Sequence, residues 1–255
     1  MQPHERIGAA IAAANEAGRT GLVPFITAGY PDPATFGASL QAIAEVGDVV
    51  ELGVPFSDPM ADGLTIQRSS FVAIENGVTL TWIFEQLDSL CGNVDAPLVM
   101  MSYLNPLLAF GYARLAARAL ETGVCAFIVP DLPYEESAEI SAALDAEGVG
   151  LIQLVTPATP ADRMKMLADA SRGFLYAVTI TGITGGDSGL PADLADYLDQ
   201  VTAASTLPVC AGFGIRTAED VVNVGSHAAG AIVGSALVEV LERGEDPAAY
   251  LRQLR

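Results

Sequence analysis

Eight times along this chain a short run rich in Val, Ile, Leu and Phe gives way to a turn, then to an Ala-rich segment with helical spacing of its apolar residues. Strand followed by helix, repeated, is the pattern of a parallel sheet with crossover helices. Strands are predicted at residues 22–28, 49–53, 98–103, 126–129, 150–155, 174–179, 208–212 and 229–233. A leading helix spans 5–17. Others run from the Pro31-Asp32-Pro33 turn to Val46, over 65–76, 80–90, 112–122, 135–146 and 218–224, from near Pro160, from Pro191, and through to Arg255. Eight such units plus one leading helix in 255 residues fit an α/β fold, a single (β/α)₈ TIM barrel domain over residues 1–255 with an extra N-terminal helix. An open doubly wound sheet is the alternative. It is less attractive at eight consecutive units that lack an early Gly-x-Gly-x-x-Gly turn.

Composition narrows the partners. With 51% apolar residues the chain can bury a large core without disulfide or metal staples. Twelve basic against 31 acidic residues give a formal charge of −19, which opposes nucleic acid and anionic membrane surfaces. Residues 1–5 carry no signal-peptide pattern. The most apolar stretch, 97–113, is broken by Ser102, Asn105 and two prolines, unlike a membrane span. Cys91, Cys125 and Cys210 lie far apart, with no Cys-x-x-Cys pair. The expectation is a reduced, cytoplasmic setting. The single lysine, Lys165, falls in a helical, surface-looking segment, which argues against Schiff-base chemistry because that needs a buried amine.

One segment points to chemistry. Residues 50–67 open as an apolar strand (Val49, Val50, Leu52) that carries a carboxylate, Glu51, inside its run. They continue as a Pro/Ser/Asp/Gly loop holding Asp58 and Asp62. An ionisable group on an interior strand is costly, and acid–base work is the usual reason for keeping one. The bland reading makes Glu51 an edge residue and the two aspartates turn formers. In a barrel the active site occupies the C-terminal ends of the strands. That rule gathers Thr27, Glu51, Asp62, Tyr103 and Tyr176 toward one mouth.

Glycine clusters follow the last three predicted strands: Gly182-Ile183-Thr184-Gly185-Gly186, Gly212-Phe213-Gly214-Ile215 and Gly234-Ser235. Each alone is an ordinary turn. Together, next to helix starts, they suit a phosphate held by backbone N–H groups, with Arg216 close by.

The run from Glu51 to Gly63 resembles the signature Glu-Leu-Gly-x-Pro-x-Ser-Asp-Pro-x-Ala-Asp-Gly of the tryptophan synthase α family, with every fixed position present, and the resemblance extends along nearly the whole chain. It implies a lyase of tryptophan biosynthesis that cleaves indole-3-glycerol phosphate to indole and glyceraldehyde 3-phosphate, with no cofactor in this chain. By resemblance Glu51 is the acid/base at the scissile bond and Asp62 polarises the indole nitrogen. Phe25, Met101 and Ile128 wall the indole slot, Tyr176 lies beside the glutamate, and Gly185, Gly214, Gly234 and Ser235 bind phosphate. It also implies a partner, a β subunit carrying pyridoxal phosphate in an α2β2 heterotetramer. Pro55, Asp58, Asn105, Pro106 and Pro133 stand at the positions that face it.

Two departures from the family pattern concern loops. The segment 181–191 has Asp187 and Ser188 but no arginine, and Leu64 replaces a proline. They bear on lid closure and inter-subunit signalling more than on catalysis. Three other readings compete: a stand-alone lyase without a partner, a lysine-dependent phosphate-binding barrel such as indole-glycerol-phosphate synthase or an aldolase, and a protein that docks on β and activates it without catalysis. From the apolar neighbours of Glu51, its carboxyl is expected to titrate above the ordinary carboxylate range.

Overall fold

The computed structural model describes residues 1–179, 192–212 and 214–255. Its elements run α1 (Pro3–Glu16), β1 (Gly21–Thr27), α2 (Pro33–Ala44), β2 (Val50–Gly53), α3 (Leu64–Glu75), α4 (Leu80–Ser89), β3 (Leu98–Met101), α5 (Leu104–Phe110), α6 (Tyr112–Thr122) and β4 (Val124–Ile128). After a 3₁₀ turn at Tyr134–Glu136 come α7 (Ala138–Ala146), β5 (Gly150–Ile152), β6 (Leu154–Val155), α8 (Ala161–Ala170), β7 (Leu175–Val178) and α9 (Ala192–Ala204). The chain ends with β8 (Val209–Gly212), α10 (Ala218–Gly225), β9 (Gly230–Val233), α11 (Ser235–Glu242) and α12 (Pro247–Gln253).

All strands pair in parallel, in the order β5-β4-β3-β2-β1-β9-β8-β7-β6. β5 and β6 sit at the two ends of that order yet are consecutive in the chain, joined through Gln153. The sheet is therefore a barrel with one interrupted seam, and the expected strand 150–155 is two short ones. The cause is local. The Gln153 amide donates to the Ser171 hydroxyl (3.0 Å) rather than to a neighbouring strand, while its carbonyl still accepts from Tyr176.

Side-chain alternation creates two cores. Val50 and Leu52 point outward into the layer beneath the helices, with Leu22, Ile26, Phe36 and Phe127. Val23, Val99, Ile128, Ile152, Cys210 and Ile232 fill the barrel interior, which Ile7 and Ile11 of α1 close. The leading helix is thus a plug at one end of the barrel, and the other end stays free for a site.

Other differences from expectation follow from proline and glycine. β3 stops at Met101, and the next residues form α5, with Pro106 in its first turn where the missing N–H costs nothing. The final helix is two, α11 and α12, divided where Gly244 takes a left-handed φ of 68° and Asp246 caps the second through Ala248 N–H (2.9 Å).

The end of the barrel near α1 is tied by one carboxylate. Asp48 accepts from Leu22 N–H at 2.8 Å and pairs with Arg255 at 3.1 Å and Arg19 at 3.6 Å, joining first strand and last residue. Asp48→Ala leaves a strand amide without its partner. The expected loss is about 1–3 kcal/mol, the cost of an unpaired buried donor. A urea melt of the two proteins measures it; unchanged midpoints would rule the tie unimportant.

Candidate active site

Register decides where Glu51 points. It pairs with Phe25 on β1 and Val99 on β3, and Val99 belongs to the inner core. Its strand neighbours Val50 and Leu52 face outward, so the carboxylate faces the barrel interior. It is 1% exposed, and its Oε2 has no hydrogen-bond partner among the described residues. Burial drives its pKa up to about 8, with the nearby Asp62 charge a smaller push in the same direction. A carboxyl that is mostly protonated at neutral pH and still close to its titration point can both give and take a proton.

Glu51 lines a cavity of about 280 Å³ at the C-terminal ends of the strands. Phe25, Met101, Tyr176, Asp62, Gly214, Gly234 and Ser235 line it too, so most of the expected residues meet in one place. Ile128 does not. It is in register with Met101 but stays in the inner core, off the cavity wall. Gly185 lies outside the described residues.

Two glycines make room for aromatic walls. A Cβ at Gly53 would collide with the Phe25 ring, and one at Gly212 would collide with the Tyr176 hydroxyl. The sequence grouped Gly212 with phosphate binding; its position under Tyr176 is an additional reason for the missing side chain. Tyr176 itself titrates well above its ordinary value through burial, reinforced by the charge of Glu51.

Asp62 is half-buried on the loop after β2, and burial raises its carboxyl pKa while Tyr103 pulls it back. Gln67 holds the same loop by donating to the Asp62 carbonyl at 2.8 Å. Behind it, Thr27 and Ser69 share a buried hydrogen bond of 2.6 Å that fastens α3 to the end of β1.

One wall of the cavity has features that suit an anion. α11 starts at Ser235 with no acidic residue in its first turn, and no side chain caps it. Its first N–H groups lack intrahelical partners, and Gly234, Ser235 and Ala236 all border the cavity. Arg216 is the one cationic side chain on this wall among the described residues. Its guanidinium makes two hydrogen bonds to Glu239, at 2.8 and 2.9 Å, so its charge is already matched. Backbone amides are left as the principal anion donors.

The expected partner-facing residues divide. Asp58, Asn105 and Pro133 are exposed and Pro106 is half-buried, whereas Pro55 is buried within this chain. Pro55 follows Val54, whose amide donates to the Met101 carbonyl at 2.8 Å, so the chain is still inside the barrel rim at that point. Sequence reasoning missed several wall residues, among them Ile66, Pro130, Leu154 and Ile232. Apolar residues in strands, loops or helices carry no signal that separates a wall from a core.

Lys165 is exposed and paired with Asp169 on α8, away from the cavity wall. The described helices include none long and apolar enough to cross a membrane.

Comparison with known proteins agrees with this geometry. The family model described as tryptophan synthase alpha chain matches residues 11–254. A tryptophan synthase alpha chain of Desulfovibrio desulfuricans is 43% identical over 244 residues, covering 94% of this chain and 96% of the relative. The crystal structure of tryptophan synthase subunit alpha from Legionella pneumophila superposes with a TM-score of 0.88 at 32% identity, over 100% of this chain and 97% of that one. A chain of the aminoacrylate-bound form of tryptophan synthase from M. tuberculosis superposes with a TM-score of 0.88 at 30% identity, over 98% of each chain. The chain belongs to the tryptophan synthase alpha chain family.

Proposed function

We propose that this chain, as one barrel domain, cleaves indole-3-glycerol phosphate to indole and glyceraldehyde 3-phosphate by a retro-aldol step. One observation carries the reading: a buried carboxyl with a raised pKa, unpaired among the described residues, shares a cavity with a helix start whose N-cap is a glycine and which suits a phosphate. The substrate has the matching layout, an aromatic ring at one end and a phosphate at the other.

The chemistry assigns the groups. Glu51, protonated, gives its proton to indole C3, which turns the ring into a leaving group. The bond from C3 to the hydroxyl-bearing carbon breaks and its electrons return to the ring. That carbon becomes the aldehyde as its hydroxyl proton passes to the Glu51 carboxylate, so the residue ends as it began. Asp62, ionised, accepts the N1–H hydrogen bond and stabilises the positive charge that C3 protonation places on the ring. Phe25, Met101 and Tyr176 hold the ring between them. Gly214, Gly234 and Ser235 hold the phosphate, and Gly185 and Ile128 are carried as family positions only. None of these steps calls for a cofactor in this chain.

Indole then passes to a β subunit that uses pyridoxal phosphate, in a cytoplasmic α2β2 assembly. Asp58, Asn105, Pro106 and Pro133 supply the docking face, with Pro55 supporting the loop from within. The three cysteines are free, in keeping with a reducing compartment.

Indole release from indole-3-glycerol phosphate, assayed with and without a β subunit, tests the reading. Glu51→Gln is expected to lose roughly 10²–10⁴-fold in kcat with KM little changed, the range for a general acid–base group. An unchanged rate would overturn the acid–base role of Glu51, no indole release by the wild type would leave only a docking role, and a wild-type rate indifferent to β would leave a stand-alone lyase. The log of kcat/KM plotted against pH should fall above about pH 8, as Glu51 loses its proton, and fall again on the acid side as Asp62 gains one. A flat profile across pH 7–9 would contradict the acid role.

Stability gives an independent readout. Between pH 4.5 and about 8 Glu51 is neutral when folded and ionised when unfolded, so stability declines as pH rises through that window. Glu51→Gln removes the decline. Its thermal midpoint should exceed that of the wild type above pH 8, and the gap should close toward pH 4.5. A gap independent of pH would contradict the burial argument.

A further inference from the structure

Tyr103 is buried, at 4% exposed, and does not line the cavity, yet it touches the loop that carries Asp62 in three ways. Its hydroxyl accepts a hydrogen bond from Ala61 N–H at 2.8 Å, the amide immediately before Asp62. The Asp62 carboxylate lies near enough to the same hydroxyl for the tyrosine to lower its pKa. Its ring stacks on Phe56, six residues before Asp62 in the loop, with centroids 5.0 Å apart and planes 25° from parallel. Both ends of the loop after β2 are therefore held by one side chain from the end of β3.

The anchor is itself fixed. Tyr103 is the residue before α5, and the next amide, Leu104 N–H, donates to Asp131 Oδ1 at 2.9 Å on the loop after β4. Asn105, on the expected partner face, follows directly.

We propose that Tyr103 is a positioning residue for the lyase step, holding the Ala61–Asp62 segment so that the Asp62 carboxylate meets the indole N–H. The hydroxyl accepts one hydrogen bond from the backbone and has one proton left to donate. Donation to Asp62 favours its ionised form, the form that attracts N1–H. The other titratable groups facing this pair among the described residues are Glu51 and Tyr176 across the cavity and Asp131 behind Tyr103. What pushes Asp62 toward its protonated form is burial, and the tyrosine donor works against it.

The inference rests on the assignment of Asp62 above, and the experiment separates the two. Full-length wild type, Tyr103→Phe, Asp62→Asn and the double variant are assayed for indole release across pH. Tyr103→Phe keeps the ring stacked on Phe56. It should lower kcat roughly ten- to a hundredfold with KM within about twofold, the size of one lost hydrogen bond to a charged group. The acid limb of its kcat/KM profile should move to higher pH. In the Asp62→Asn background the tyrosine change should cost no further activity. Incorporation of 3-fluorotyrosine at position 103 keeps the shape while making the phenol a stronger donor, and should move the acid limb to lower pH even where Tyr103→Phe folds poorly. A loss in Asp62→Asn with an unmoved acid limb in Tyr103→Phe or the fluorinated protein overturns the Tyr103 inference alone. Full activity in Asp62→Asn overturns the assignment beneath it.

Discussion

A carboxyl group held out of water without a partner among the described residues is the constraint around which this barrel is arranged. Glu51 sits at an inward position of β2, fixed by its register with Phe25 and Val99, and one of its oxygens is orphaned. A charged carboxylate there would face a large desolvation cost, so the group keeps its proton instead. The same burial that destabilises the ionised form makes the group a usable acid near neutral pH. The apolar walls and the chemistry thus have one cause.

Around that group the scaffold makes space with glycine. Gly53 admits the Phe25 ring and Gly212 admits the Tyr176 hydroxyl, each at a strand end where any Cβ would clash. The anion site proposed at the start of α11 relies on main-chain donors rather than fixed positive side chains. The acidic composition makes sense of this. With only twelve basic residues in 255, and the nearest one, Arg216, matched by Glu239, charge neutralisation falls to the amides that open α11. Arg68, paired with Glu242 at 2.6 Å, braces the other end of α11 against α3. The helix that presents the anion site is thereby tied to the loop side that presents Asp62.

Much of this was legible in the amino-acid pattern, for reasons that differ by element. The strand–helix alternation is a periodic signal repeated eight times, and hydrophobic periodicity survives into the fold because it states which face is buried. The break at Gln153 was not legible. It depends on Ser171, eighteen residues away, capturing one amide. α5 was not predicted: it is only seven residues long, too short for a helical period to show, and Pro106 sits in its first turn, where proline is tolerated. Glu51 stood out because a carboxylate inside Val-Glu-Leu contradicts its surroundings. Tyr103 was seen to end a strand, but its grip on Ala61 depends on how a Gly- and Pro-rich loop folds back, which no spacing encodes. Pro55 and Ile128 mark the same limit: a motif aligns positions, while exposure and cavity contact depend on packing.

Direct titration of the Glu51 carboxyl in the intact, ligand-free chain tests the central claim most closely. With ¹³C-labelled glutamate and the Glu51→Gln protein to identify the signal, NMR should follow one glutamate that ionises near pH 8, far above the ordinary glutamate value of about 4.3. A Glu51 resonance that ionises at that ordinary value would mean the group is charged and solvated at neutral pH, and the burial account of the site would be wrong.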